Sequence, residues 1–181
     1  MEVREGLELG ENHAEHGDNP LTLPVSVTIS ILAVLVAGAT LLGHRAHTEE
    51  LLLQSQATDK WAYYQAKNIR SRNMQSTVDM LTLLQPKDEA RAEAGREKYK
   101  KEVDRYESDK SDIGDEAKKL EEERDVVGRR ADRFDGGEGI LEVGLVICSV
   151  TLLTRRRMFW YSGMAIGAAG VALVLTGLFV H

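Results

Sequence analysis

The sequence predicts an all-α membrane protein with three transmembrane helices and a long antiparallel helical-hairpin arm, coiled-coil-like, between the first and second. Three observations carry this reading. No Asp, Glu, Lys or Arg occurs from Leu21 to His44, and none from Met158 to His181. Residues 44–137 instead hold nineteen Lys or Arg against twenty-one Asp or Glu. Within that charged middle, apolar residues recur at alternating three- and four-residue steps, the period of helices that pack along one narrow stripe. Bulk figures conceal the segregation: a mean hydropathy of -0.29 and 29% charged residues would describe a soluble chain.

Residues 1–23 read as an acidic, His-containing flexible tail, with six acids and one Arg in the first twenty positions, and the net charge of -6 arises mainly there. His13 and His16 lie near Glu11, Glu15 and Asp18, but a metal site needs fixed geometry that a polar tail lacks, so no metal is expected. Residues 24–43, PVSVTISILAVLVAGATLLG, carry no charge; at about 1.5 Å per residue they cover the roughly 30 Å hydrocarbon core as a first span. An acidic tail before it and His44-Arg45 after it do not suit a cleaved signal peptide, which needs a basic start and small residues at the cut.

Residues 158–181 form the third span and open with Trp160 and Tyr161, whose rings favour the headgroup level. Residues 136–154, GGEGILEVGLVICSVTLLT, are shorter and carry Glu138 and Glu142 in their first two turns. They read as a tilted or slightly short second span whose acids reach toward the interface or face other helices. Residues 155–157 join these two spans as Arg155-Arg156-Arg157, and three cations in so short a loop resist translocation. The loop and the N-terminus are therefore expected in the cytoplasm and the arm outside it. Arg45, Arg124, Arg129, Arg130 and Arg133 at the arm's membrane ends pull the other way, but the arm exceeds the length over which loop charge governs orientation.

The arm covers residues 44–135. In its second half Tyr99, Val103, Tyr106, Ile113, Ala117, Leu120, Val127, Ala131 and Phe134 keep a heptad register, with Lys110 and Arg124 in the two remaining a-type positions. Gly95, Gly114 and Gly128 interrupt it, each costing about 1 kcal/mol of helix stability relative to alanine. Glu97 with Lys101 and Asp125 with Arg129 are expected to pair at i,i+4. In the first half Leu53, Ala57, Tyr64, Met74, Val78 and Leu81 make an approximate stripe, broken by Lys60, Lys67 and Ser71. Pro86 disfavours helix at Gln85, while Asp88 and Glu89 suit the first turn of a new helix, so the chain is expected to turn at 85–87. The two halves would be antiparallel and on the order of 60–75 Å long. One narrow seam buries little, so self-association into a homo-oligomer is expected. Gly163, Gly167 and Gly170, with Ala33 and Ala37 on the first span and Gly144 and Cys148 on the second, supply small residues for close helix packing.

Several functions are disfavoured. A balanced middle lacks the clustered cations of a nucleic-acid groove. The single cysteine, Cys148, provides neither an intrachain disulfide nor a thiolate metal cluster. No nucleophile–base pair, phosphate-cradling loop or paired catalytic carboxylates appears, so no enzyme and no cofactor is expected. Two candidates remain. Glu142 is an acid within a span, which is costly and often functional, although placement near a helix N-terminus explains it as well. Trp61, Tyr63 and Tyr64, in DKWAYYQAKNIRSR, are the densest aromatic cluster and a candidate partner contact, with packing across the hairpin as the alternative. His44 and His47, one turn apart, read as interfacial. The expected function is a non-enzymatic scaffold or interaction protein in the lipid bilayer, presenting its hairpin to an unknown membrane or envelope protein or to copies of itself. The alternatives are a small ion or proton transport or channel component using Glu142, and a membrane stress sensor.

The segment around Gln54-Ser55-Gln56-Ala57, Asp59-Lys60-Trp61 and Tyr64-Gln65-Ala66-Lys67, with the later Arg130-Ala131-Asp132-Arg133-Phe134 and Leu153-Thr154-Arg155-Arg156-Arg157, resembles the bacterial membrane proteins grouped as domain of unknown function 4337. The resemblance covers nearly the whole chain beyond its first dozen residues. It implies a helical, three-span protein of the bacterial cytoplasmic (inner) membrane, and brings no activity, cofactor or catalytic residue with it.

Overall fold

The computed structural model describes residues 20–84 and 87–180. They form three helices packed antiparallel, α1 (Thr22–Leu83), α2 (Glu89–Thr154) and α3 (Arg157–Gly177). No break marks the change from charge-free to charged sequence near residue 43 or 135, because each change is one of side chains and leaves helix-compatible backbone throughout. Pro24 falls in the first turn of α1, where its missing N–H has no intrahelical partner to lose. Asp88 starts α2, accepting a hydrogen bond from the backbone N–H of Arg91 at 3.1 Å, a standard N-cap. Gln85 and Pro86, the centre of the expected turn, lie outside the described residues.

Between α2 and α3 only Arg155 and Arg156 are non-helical, and Arg157 already belongs to α3. The N–H of Arg155 donates to the Thr151 carbonyl at 2.8 Å while its own φ is 53°. This left-handed position at a helix end is one that glycine usually takes, and for a side-chain-bearing residue it costs roughly 1–2 kcal/mol.

Each of the three helices contains a stretch long and apolar enough to cross a membrane, by length and composition. The chain divides into two compact units, one of residues up to Leu42 with Asp132–Phe179, the other of Gly43–Ala131 with the last residues.

In the first unit, Leu32 and Ala39 of α1 meet Leu141 and Cys148 of α2, with Val171 and Val174 of α3 packed against them. The buried positions of α2 here are Phe134, Gly137, Leu141, Gly144, Cys148 and Thr151. Glycines on this stripe face glycines on α3. A Cβ on Gly144 would lie 2.9 Å from the carbonyl oxygen of Gly163 and from the nitrogen of Gly167; one on Gly170 would lie 2.9 Å from the nitrogen of Leu141 and 3.0 Å from the oxygen of Gly137. Backbone touches backbone at two levels, a contact only small residues permit. Gly167 also faces Leu32 of α1, whose Cδ2 would be 2.7 Å from an added Cβ. Gly163, Gly167 and Gly170 thus pack within the chain, whereas Ala33 and Ala37 are exposed.

Opposite outcomes are expected at two glycines of α2. Gly144→Val should lower the midpoint of thermal unfolding, an overpacking loss of about 1–3 kcal/mol. Gly139→Ala, with nothing within 4 Å of its added Cβ, should raise it through helix propensity worth up to about 1 kcal/mol. Circular-dichroism melts in detergent compare the two, and a neutral Gly144→Val would contradict the backbone contact.

Candidate functional site

The arm's seam begins with a sequence feature that looked like a defect. On α1 the buried and half-buried positions include Ala46, Glu50, Leu53, Ala57, Lys60, Tyr64, Lys67, Ser71, Met74, Val78 and Leu81, an unbroken heptad alternation, with His47, Trp61, Asn68 and Thr77 half-buried beside it. Lys60, Lys67 and Ser71 do not interrupt the stripe; they belong to it. Each finds a polar partner on α2: Lys60 pairs closely with Glu116, Lys67 Nζ donates to Asp109 at 2.6 Å, and Ser71, only 3% exposed, donates its hydroxyl to Glu107 at 2.8 Å. In turn the a-type cations of α2 find acceptors on α1, Arg124 at Gln54 Oε1 (2.5 Å) and Lys110 at Asn68 Oδ1 (3.3 Å). From Gln54–Arg124 to Ser71–Glu107, both helices advance seventeen residues in opposite senses, so the pairing runs without slippage.

The lysines alone do not set that register. After a slip of one heptad in either direction Lys67 would face Glu102 or Glu116 and still be paired. Tyr64 discriminates, because it packs on Gly114, where an added Cβ would lie 3.4 Å from the ring; a slip would put Glu107 or Glu121 there. Gln54 discriminates too, since a slip would place it against Ala117 or Ala131. Gly114, a helix-weakening residue by propensity, lies under the ring, where even an added Cβ would make only ordinary contact and a longer side chain would not fit as well.

The end of the arm remote from residue 43 is closed by Arg96. Its guanidinium donates to the Leu81 carbonyl at 2.8 Å, one of the last α1 carbonyls left without an intrahelical partner, and is held by Glu89 and Glu93. Bonding first to Glu89 and then to Glu93 raises its already high pKa further. The expected i,i+4 pairs on α2 are not formed among the described residues. Asp125 binds its neighbour Arg124 at 2.6 Å, while Arg124 is also fixed on Gln54; apart from Arg96–Glu89, the remaining ion pairs within α2 are i,i+3, as in Glu102–Arg105 and Glu107–Lys110.

The aromatic cluster divides. Trp61 donates its indole N–H to Glu121 at 2.9 Å and meets Tyr64 edge-on, ring centroids 5.4 Å apart. Both are therefore engaged inside the hairpin. Tyr63 is 50% exposed, with the Lys67 ammonium 5.5 Å from its ring. It borders a groove of about 580 Å³ whose other walls include Gln56, Asp59, Glu116 and Leu120, and the Lys60–Glu116 pair lies within it.

In the apolar unit two hydrogen bonds tie α1 to its neighbours at separate levels. Thr40 donates to Glu138 at 2.6 Å, and Trp160 donates its indole N–H to Thr28 at 3.1 Å. Of the two acids, Glu138 is thus the one that faces another helix. Glu142, one turn or about 6 Å further along α2, is exposed on its outer side. Sequence reasoning missed Thr28, Thr40 and Arg96; Thr28 and Thr40 also lie within hydrogen-bond distance of carbonyls of their own helix, and nothing in a single sequence says which helical threonine meets a neighbouring helix as well. His13 and His16 lie outside the described residues, His47 Nδ1 sits 3.4 Å from Glu50, and among the described residues no three His, Cys, Asp or Glu are grouped to hold a metal.

The seam titrates in a defined sense. Hydrogen bonds from Lys110 and then Ser71 hold the Glu107 carboxyl below its ordinary value, so its contribution is present above that value and is lost as pH falls through the lowered one. The bond to Asp109 raises the Lys67 pKa, so that contribution persists at neutral pH and is lost only in strong alkali. The unfolding midpoint should therefore fall as the pH drops below the ordinary carboxylate range, and Glu107→Gln should shrink that fall. An unchanged acid-side slope in melts of Glu107→Gln would contradict the assignment.

No curated protein and no solved structure matches the chain. Over residues 21–180, however, it matches the family described as Domain of unknown function (DUF4337), and it belongs to that family.

Proposed function

We propose that this chain spans a bacterial cytoplasmic membrane three times and acts as a non-enzymatic scaffold, presenting its hairpin outside the cytoplasm to a membrane or envelope partner or to further copies of itself. Spanning is supported by what the apolar stretches leave uncovered. Only 17%, 28% and 17% of the three most apolar windows is buried, and Ile31, Val34, Val143, Val146, Leu153 and Phe179 are exposed. Water penalises so large an apolar surface, whereas lipid does not. The orientation is supported by Arg155, which keeps a cation where the backbone favours glycine; a strained position retained in a three-arginine turn fits a loop that holds its side of the membrane by charge.

The scaffold reading rests on one observation above the rest: Lys60, Lys67, Ser71, Lys110 and Arg124 of the arm's seam each find a partner on the facing helix, and Tyr63 with its groove remains on the outside. An arm so built offers surface. Glu142 gives transport little support, because it is exposed while Glu138, the acid one turn away, is engaged with Thr40.

Reporter insertions at residue 85 and after Val180, each with an enzyme active only outside and one active only inside the cytoplasm, test the topology. Both positions should activate the outside reporter; activity of the inside reporter at residue 85 would overturn the orientation. Native mass spectrometry in mild detergent tests the role. Dimers or a stoichiometric bound protein are expected, and bare monomer throughout would overturn it.

A further inference from the structure

The side of α1 that points away from the seam is unusual within this arm. Counting from the seam, the outermost heptad position of α1 is filled by Ser55, Ala62, Ile69, Ser76 and Leu83, all exposed and none charged. Uncharged, exposed neighbours extend it into a stripe, with Leu51, Thr58 and Gln65 on one flank and Asn73 and Met80 on the other. The change of flank between Gln65 and Asn73 keeps the stripe in line on a helix of about 3.6 residues per turn. The hydroxyls of Thr58 and Ser76 donate to carbonyls of their own helix, at 2.8 and 3.0 Å, so they ask nothing of a neighbour. The equivalent outer position of α2 holds Ala94, Lys101, Ser108, Asp115, Glu122 and Arg129, four of six charged.

We infer that this stripe is the surface on which a second copy of the chain pairs, α1 against α1 in parallel. The inference rests on the membrane reading above, since two copies inserted with one topology must present their α1 helices in the same direction. In a parallel two-fold pair each residue meets its own counterpart. A charged face would then set like charges against each other, which is destabilising; the outer face of α2 is of that kind. The α1 stripe meets itself without repulsion. It stacks Ala62, Ile69, Met80 and Leu83 on their counterparts, and it brings Asn73 to Asn73, a pairing that favours an aligned, parallel dimer. Leu51, Ile69, Met80 and Leu83, among the large apolar side chains that the arm leaves exposed, all lie on it.

The test uses the full-length chain in its native membrane, with Cys148→Ala to remove the only thiol. Single substitutions Ala62→Cys and Ile69→Cys should give covalent dimers on mild oxidation, far more than Asp115→Cys and Glu122→Cys on α2. Co-expressed Ser55→Cys and Leu83→Cys chains should give no mixed dimer. Ile69→Lys should lower the dimeric fraction in detergent roughly tenfold, the effect of apposed like charges. Dimers no more abundant at residues 62 and 69 than at 115 and 122, or a mixed 55–83 dimer, would overturn the inference. Alkaline carbonate extraction of the same membranes separates the two ideas: a chain that stays with the lipid yet fails to crosslink refutes the stripe alone, and a chain that is washed off refutes the membrane reading.

Discussion

The register of α1 against α2 in the arm is the constraint on which the rest of the hairpin depends. A two-helix seam has little apolar area with which to choose among alignments, and a heptad repeat is nearly degenerate to slips of seven residues. Charge does not lift that degeneracy here, because α2 offers an acid to Lys67 in all three alignments. Shape and a charge-assisted hydrogen bond to a neutral acceptor do: the Tyr64 ring occupies the space over Gly114, and Gln54 accepts from Arg124. The ion pairs then add to this alignment, more where they are half-buried and less where solvent screens them. Arg96, tied to the Leu81 carbonyl, closes the far end. Once α1 is aligned, its outer face is defined as well, so the uncharged stripe and the Tyr63 groove follow from the same register.

The apolar unit is built on a different principle. Where α2 and α3 meet, glycine backbones lie in contact, and dispersion between close-packed main chains replaces side-chain interdigitation. The two hydrogen bonds between α1 and its neighbours, Thr40 donating to Glu138 of α2 and Trp160 of α3 donating to Thr28, orient that helix on the glycine-mated pair. Glu138 is thereby satisfied by a neighbouring helix, which matters for a carboxyl beside an apolar stretch. It also explains why Glu142, the acid that attracted attention in the sequence, is less informative: it belongs to the outer surface.

Much of this was legible in the residues. Charge-free stretches and the heptad period located the apolar helices and the seam of α2, and the glycines at 163, 167 and 170 pointed to close packing. The seam of α1 was harder to read because Lys60, Lys67 and Ser71 are polar, and periodicity counts polarity without knowing what stands opposite. Their partners, Glu116, Asp109 and Glu107, are 56, 42 and 36 residues away in sequence, and a single sequence holds no record of that pairing. Gly114 was misleading for a related reason, since its cost to helix propensity is local while its benefit to Tyr64 is tertiary. Of the expected i,i+4 ion pairs, Asp125–Arg129 gave way because Asp125 is held by Arg124, which also has a cross-helix acceptor that a local rule does not consider.

Register can be read directly. In the Cys148→Ala background, Gln54→Cys combined in turn with Ala117→Cys, Arg124→Cys and Ala131→Cys samples the observed alignment and one heptad slip to either side. Intramolecular disulfide formation should be dominant with position 124 and weak with 117 and 131; comparable crosslinking at all three, or a preference for either flanking position, would contradict the account.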